Sequence, residues 1–263
     1  MAKQVQEPEL RWDRLTAPAL RTLARRKTVV IIPLGATEQH GPHLPVQVDW
    51  RLAWEVSLRA ARLMQGRQRA IVTPAIPFGM SEHHMSLGGT ITLDYATMAA
   101  VVGCVVRSAA RHGFKRIFVL NGHGGNIAAL ETIITELTID LRLPLAAGTY
   151  WQIAAASIAR ILEHQGGVLH ACEAETSMLQ ALSPETVLPL KKSYRTLLVP
   201  GLSAIAGVNP GVYRWQQLST RSRLGLVGEA WAATPDKGRQ LLDAISADVA
   251  DALSHQELWT API

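Results

Sequence analysis

Cysteine is nearly missing from this chain. Only Cys104 and Cys172 occur among 263 residues. They lie far apart and outside any CxxC pattern, so neither a disulfide framework nor a zinc knuckle is indicated. No apolar run approaches the roughly 18 residues that a membrane helix needs. The polar N-terminus, MAKQVQEPELRWDRL, lacks the apolar stretch and cleavage site of a signal peptide. A reducing cytoplasmic setting is therefore expected, with no membrane partner. Repeats, low-complexity tracts and linkers are absent too, which argues for a single domain over residues 1–263. Concentrated charge of one sign is also missing. The formal net charge is +5, yet the basic residues are scattered apart from Arg21–Lys27 and Lys191-Lys192. A nucleic-acid binder would gather them into a patch or stripe, so no nucleic-acid partner is expected.

What the chain does contain is a core. Hydrophobic residues make up 48% and charged residues 18%, the balance of a compact globular protein. Val29-Val30-Ile31-Ile32 has the pattern of a buried strand, broken at Pro33 and Gly35. Ala70–Pro74, Arg116–Leu120 and Leu145–Tyr150 read as further strands, with Thr90–Leu93 a short strand or edge. Helices are expected over Trp12–Arg26, Arg51–Met64, Tyr95–His112, Ile127–Leu141 and Lys237–Leu253, and another entered at His170–Glu173. Residues 195–230 read as loops and short strands. Strand and helix thus alternate over the first 150 residues, which implies an α/β fold with a mostly parallel sheet in three αβα layers. Ligands in such sheets bind beyond the carboxyl ends of the strands. The loops at 35–49, 77–89 and 121–126 all sit at those ends.

Those loops carry the chemistry. The first holds Glu38, His40, His43 and Asp49, and no Lys, Arg or Ser. In an extended segment residues two apart share a side, so Glu38 and His40 can face one cavity. Imidazoles and carboxylates together suit a hard or borderline metal. The third loop, Asn121–Asn126 (NGHGGN), places His123 among glycines without the Lys-Ser/Thr of a phosphate loop. His170 and Glu173 share a helical face in this reading, and Glu175 lies away from it. Ser81-Glu82-His83-His84 adds a fourth polar cluster. Its adjacent histidines cannot easily both turn inward, so at most one is expected to matter. Three separated clusters of His, Glu and Asp suit a two-metal hydrolytic site in which Asp49 is a natural bridge.

The strings PLGATEQHGPHLPVQVD, NGHGGN, HACEAETSMLQAL and GLVGEAWAATPDKG together resemble the creatininase (creatinine amidohydrolase) family over nearly the whole chain. The resemblance implies a single α/β domain, two divalent ions per chain (Zn²⁺ and/or Mn²⁺, with Fe²⁺ an option) and commonly a hexamer. It puts Glu38 and His123 on one metal, His40 on the other and Asp49 between them. Creatininase has a metal-binding Glu two residues after the glycine-loop His, where this chain has Gly125. Glu173 is expected to compensate, with Glu175 and Asn126 supporting the ligands from behind. His170 matches a histidine that transfers protons. Trp151 matches a Trp that closes over the substrate, and Ser81, His83 and Gly124 complete the candidate substrate contacts. Leu169 and Gly166 replace an acidic residue and a substrate-contacting Trp, which disfavours creatinine itself. The implied activity is hydrolysis of a non-peptide C–N bond in a small cyclic amide or formamide by a metal-bound hydroxide. The alternatives are a peptidase acting on a small peptide precursor and a binding protein with a decayed site.

Overall fold

The computed structural model describes residues 8–196 and 214–261. Its centre is one sheet of four strands: β1 (Val29–Leu34), β2 (Ala70–Val72), β3 (Arg116–Asn121) and β4 (Leu145–Thr149). Their order is β2-β1-β3-β4, and every pairing is parallel. β1 is central and buried along its whole length. It continues through Pro33 instead of breaking there, because β2 stops pairing at Ile31↔Val72. The missing proline N–H therefore leaves no ladder bond unmade on that side. Beyond β2, the Pro33 carbonyl accepts from Ile76 N at 2.8 Å.

Alternation along β1 divides the interior in two. Val29 and Ile31 pack with α2 (Val48–Leu63), α7 (Glu173–Leu182) and α8 (Pro235–Ser254). Val30, Ile32 and Leu34 pack with α3 (Tyr95–Arg111) and α4 (Ile127–Leu141) on the other face. Helices on both faces of a parallel sheet make the αβα sandwich that the strand–helix alternation implied. α1 (Ala17–Ala24) is shorter than expected, since a 3₁₀ turn at Trp12–Arg14 precedes it and Thr16 caps it by accepting from Ala19 N. Two short helices not foreseen, α5 (Tyr150–Ile153) and α6 (Ala155–Ile161), follow β4. Residues 90–93 form only isolated bridges, Thr37↔Ile91 and Gly79↔Thr92. Of the loop region expected at 195–230, positions 197–213 lie outside the described residues. Among the described residues, no helix is long and apolar enough to cross a membrane.

α2 begins three residues earlier than the sequence suggested, at Val48, which brings Asp49 into its first turn. A carboxylate is favoured there by free N–H groups and the helix dipole. Close approach fixes this end of the helix against the sheet. A Cβ on Gly122, just past β3, would lie 2.5 Å from the Asp49 carbonyl oxygen. Glycine at 122 thus lets the end of β3 touch the helix that carries Asp49.

Candidate metal centre

The carboxyl ends of β1 and β3, the first turn of α2 and the start of α7 converge on one buried cluster. Glu38, His40, Asp49, His84, His123 and Glu175 are each no more than 3% exposed. Fixing the ring protons shows what the cluster can do. His123 Nε2 lies 3.0 Å from the Met80 carbonyl oxygen, which can only accept, so the ring proton is on Nε2. Nδ1 then presents a lone pair to Glu38 Oε2 at 3.3 Å and Asp49 Oδ2 at 3.0 Å. His40 repeats the pattern with its nitrogens exchanged. Its Nδ1 donates to the Glu38 carbonyl at 3.2 Å. Its Nε2 faces Asp49 Oδ1 at 3.1 Å and Glu175 Oε1 at 3.7 Å. Two imidazole lone pairs each confront two carboxylate oxygens, and Asp49 offers one oxygen to each side.

Glu38 Oε2, Asp49 Oδ2 and His40 Nε2 are buried without a hydrogen-bond partner. Lone pairs facing carboxylates without hydrogen bonds repel, and burying them costs several kcal/mol each unless a positive charge sits among them. Protons can supply that charge. Burial disfavours it, but Asp49 and Glu175 lift the His40 pKa, and Glu38 and Asp49 lift that of His123, well above the ordinary imidazole value. Burial likewise opposes the Asp49 charge, yet His40 and His123 hold this carboxylate below its usual range. Divalent cations could supply it as well. His123 Nδ1 and the Glu38 and Asp49 oxygens it faces could hold one, and His40, Asp49 and Glu175 form a ready group of three for another.

Glu173, expected as the compensating ligand, is directed elsewhere. Its carboxylate accepts from Lys237 Nζ at 2.8 Å and from the backbone N of Glu163 and His164 at 3.4 and 3.2 Å. The expected shared face of His170 and Glu173 does not form, because α7 starts only at Glu173 and Ala171 has a φ of +49°. Glu175 is the third helical residue, bonded back to Cys172 N at 3.4 Å, and it is the carboxylate that meets His40. Position 125 has no room for a metal-binding side chain. A Cβ there would collide with the Met80 carbonyl and the His123 ring.

His83 and His84 both reach the cluster, contrary to the expectation that at most one would. They lie on a 3₁₀ turn, Glu82–Leu87, not on an extended segment. His84 Nε2 lies 3.2 Å from Glu38 Oε1, and its pKa is depressed to about 2 by burial and the neighbouring His83. His83 is half-buried at the opening, and burial, His123 and Arg221 lower it to about 4. Gln39, which the sequence did not single out, organises two of these rings. Its Nε2 donates to His84 Nδ1 at 2.8 Å and to the Gly225 carbonyl at 3.0 Å. That fixes the His84 proton on the nitrogen facing Glu38. The Gln39 carbonyl accepts from His170 Nε2 at 2.9 Å, so His170 Nδ1 turns a lone pair towards Glu38 Oε1, 3.6 Å away. Burial, with His40 and His84 nearby, keeps His170 well below the usual imidazole pKa.

The remaining candidates divide. Trp151, His83 and Gly124 line a cavity of about 260 Å³ that opens onto the cluster. Ser81 does not, being fully buried with Oγ 3.3 Å from His123 Nε2. Asn126 sits behind the site, accepting from Met80 N at 2.9 Å and donating to the Gly35 carbonyl at 3.1 Å. His43 points away, its Nε2 2.8 Å from Thr176 Oγ1. A groove of about 890 Å³ shares His83, Gly124, Gly125 and Arg221 with the smaller cavity.

Comparison with known proteins gives a consistent picture. A family model described as creatinine amidohydrolase matches residues 13–253. The mycofactocin precursor peptide peptidase of Mycobacterium ulcerans (strain Agy99) is 33% identical over 236 residues, spanning 88% of this chain and 85% of the relative. The creatinine amidohydrolase of Pseudomonas putida is 30% identical over 205 residues, 71% of this chain and 75% of the relative. Among solved structures, a Bacteroides fragilis NCTC 9343 protein described as a creatinine amidohydrolase superposes with a TM-score of 0.83 at 25% identity, covering 97% of this chain and 98% of its own. A manganese form of creatininase does so at 0.79 and 25%, covering 96% and 99%.

Proposed function

Because the chain belongs to the creatininase family, we propose that it is a metal-dependent hydrolase of an amide C–N bond. One divalent cation would be held by Glu38, His123 and Asp49, the other by His40, Glu175 and Asp49; zinc and manganese both suit this nitrogen and oxygen donor set. The observation that carries the reading is the pair of inward imidazole lone pairs, each set against two carboxylate oxygens, with Asp49 shared between them. Such a pair of cations supplies hydroxide near neutral pH and polarises a carbonyl. The chain's own side chains do the rest. His84 donates to Glu38 and holds that carboxylate in place. His170 keeps its own proton on Nε2, tied to the Gln39 carbonyl, and offers Nδ1 to the cavity. Nδ1 can take a proton from the attacking water and return it to the leaving nitrogen. Trp151 and Leu169 form part of the wall beside it.

Small cyclic amides and formamides are the first substrates to test. A second reading, cleavage of a short peptide, is favoured by the large groove that runs into the cavity and by the peptide named for the Mycobacterium ulcerans relative. The decisive experiment is elemental analysis of the purified protein together with hydrolysis assays on both substrate classes. Wild type should hold about two equivalents of metal, Glu175→Gln about one, and Asp49→Ala less than one, with activity lost in both variants. Full activity and unchanged metal in Asp49→Ala would overturn the reading.

A further inference from the structure

We propose that Arg221 is a specificity-determining residue that binds a carboxylate on the substrate, close to the amide being cleaved. The inference rests on the hydrolase reading above and names a feature its substrate must carry. Arg221 lines both the 260 Å³ cavity over the metal centre and the 890 Å³ groove, so it stands where the two meet. It is the single Arg or Lys among the described residues lining the smaller cavity. Its charge is felt at His83, which lines the same cavity. No carboxylate of the described residues lies within salt-bridge distance of it.

A solvent-exposed arginine without a partner is ordinary; this one is held at the mouth of a charged site. The 3₁₀ turn Leu218–Thr220 precedes it, and its own N–H donates to the Leu218 carbonyl at 2.8 Å. Leu218 is buried, Ser219 Oγ meets Ser86 Oγ at 2.7 Å, and Ser222 Oγ accepts from Leu226 N at 3.1 Å. The backbone is thereby tied on both sides of Arg221, and the histidine-bearing turn is tied to it.

Charge decides the kind of ligand. Glu38, Asp49 and Glu175 contribute three negative charges to the cavity, and two divalent cations together with the hydroxide they would supply bring the sum to zero. The Arg221 guanidinium then leaves the cavity net positive, which repels cations and selects an anion. Its planar fork matches a carboxylate in two-point contact. The cavity holds the space of roughly nine waters, so an anion on Arg221 and an amide at the cluster are parts of one small molecule. An N-acyl amino acid and the C-terminal residue of a short peptide both present a carboxylate a few bonds from an amide. That shared group is what Arg221 recognises.

The test uses the metal-loaded protein, its metal equivalents measured first, with two pairs of probes. One pair is N-acetylalanine and its carboxamide; the other is acetyl-dialanine and its carboxamide. Calorimetric binding should favour the carboxylate of at least one pair by ten-fold or more in wild type. The preference should fall to about one in Arg221→Met and return in part in Arg221→Lys, with metal content unchanged throughout. A preference confined to the first pair assigns the carboxylate to a single acylated residue, and one confined to the second assigns it to a peptide. No preference in wild type, or one that survives Arg221→Met, overturns the inference while leaving a two-metal hydrolase standing. Protein that binds no metal overturns the hydrolase reading and this inference with it, since the inference places the amide against that metal centre.

Discussion

Replacing Lys237 by Met should destabilise the protein without touching its metal content, and the structure gives the size of the effect. Lys237 Nζ lies 2.8 Å from Glu173 Oε1, 2.6 Å from Glu163 Oε2 and 3.1 Å from the Ala232 carbonyl. The Glu173 side chain is wholly buried and that of Lys237 is 12% exposed. Removing one partner of a buried ion pair costs about 3–5 kcal/mol because a bare charge remains. Two backbone N–H groups and some access of water place this case at the lower end, about 3 kcal/mol. In a chain of this size that corresponds to roughly 6–12 °C in Tm. Glu173→Gln removes the buried charge while Lys237 keeps Glu163, so its cost is smaller, about 1–2 kcal/mol. The double variant should lose about 2 kcal/mol in total, well short of the sum of the two singles, because neither buried charge is then left over. Urea unfolding of chelator-treated protein measures all three, and elemental analysis of loaded protein runs beside it. If Glu173→Gln lost a metal equivalent at an unchanged urea midpoint, the separation of Glu173 from the metal centre would be refuted. Strict additivity in the double variant would refute the pairing.

Two further outcomes follow from the geometry. Gly125→Ala should lose metal and several kcal/mol of stability, because the new methyl would collide with the Met80 carbonyl and the His123 ring. Unaltered metal affinity and unfolding in that variant would show that the loop has slack. His43 carries a pH dependence of its own. Burial and the charge on His40 lower its pKa to about 4 from the ordinary 6.5, so the unfolded chain takes up a proton in that interval and the folded one does not. Stability present above pH 6.5 should therefore be lost as the pH falls towards 4. Relative to His43→Gln, metal-free wild type should lose roughly 2–3 kcal/mol across this range. Parallel stability curves for the two proteins would remove His43 from the account.

The sheet was readable because its evidence is local. Val29–Ile32 and Arg116–Leu120 are apolar runs with punctuation behind them, and the loops that follow carry the metal-type residues. Glu38, His40, Asp49 and His123 lie where that pattern put them. The errors came where the outcome depends on contacts between distant segments. Pro33 looks like a strand breaker until β2 is seen to stop short of it. Glu173 and Glu175 differ by two positions on a helix whose first residue is set by Cys172. Only the presence of Lys237, 64 positions after Glu173, shows which of them is already engaged. His83 and His84 both turn inward because a 3₁₀ turn, not a strand, carries them. Gln39 had no signal of its own, since an amide between a Glu and a His reads as an ordinary loop residue. The sequence could have flagged it only through its place between two ligand candidates. The resemblance to creatininase supplied the pairing of donors that spacing alone left open.

The spacing of the donors along the chain also bears on how the protein comes to be folded. Both of the groups proposed to hold cations draw on segments more than 70 positions apart: His123 joins Glu38 and Asp49, and Glu175 joins His40 and Asp49. No such group exists until β3 has paired with β1 and α7 has docked, so tight coordination is a property of the finished tertiary structure. Binding confined to the native state stabilises it by mass action, in proportion to the logarithm of free metal over Kd. A bound ion would then act as a clasp fastened after assembly, and removing it would lower stability.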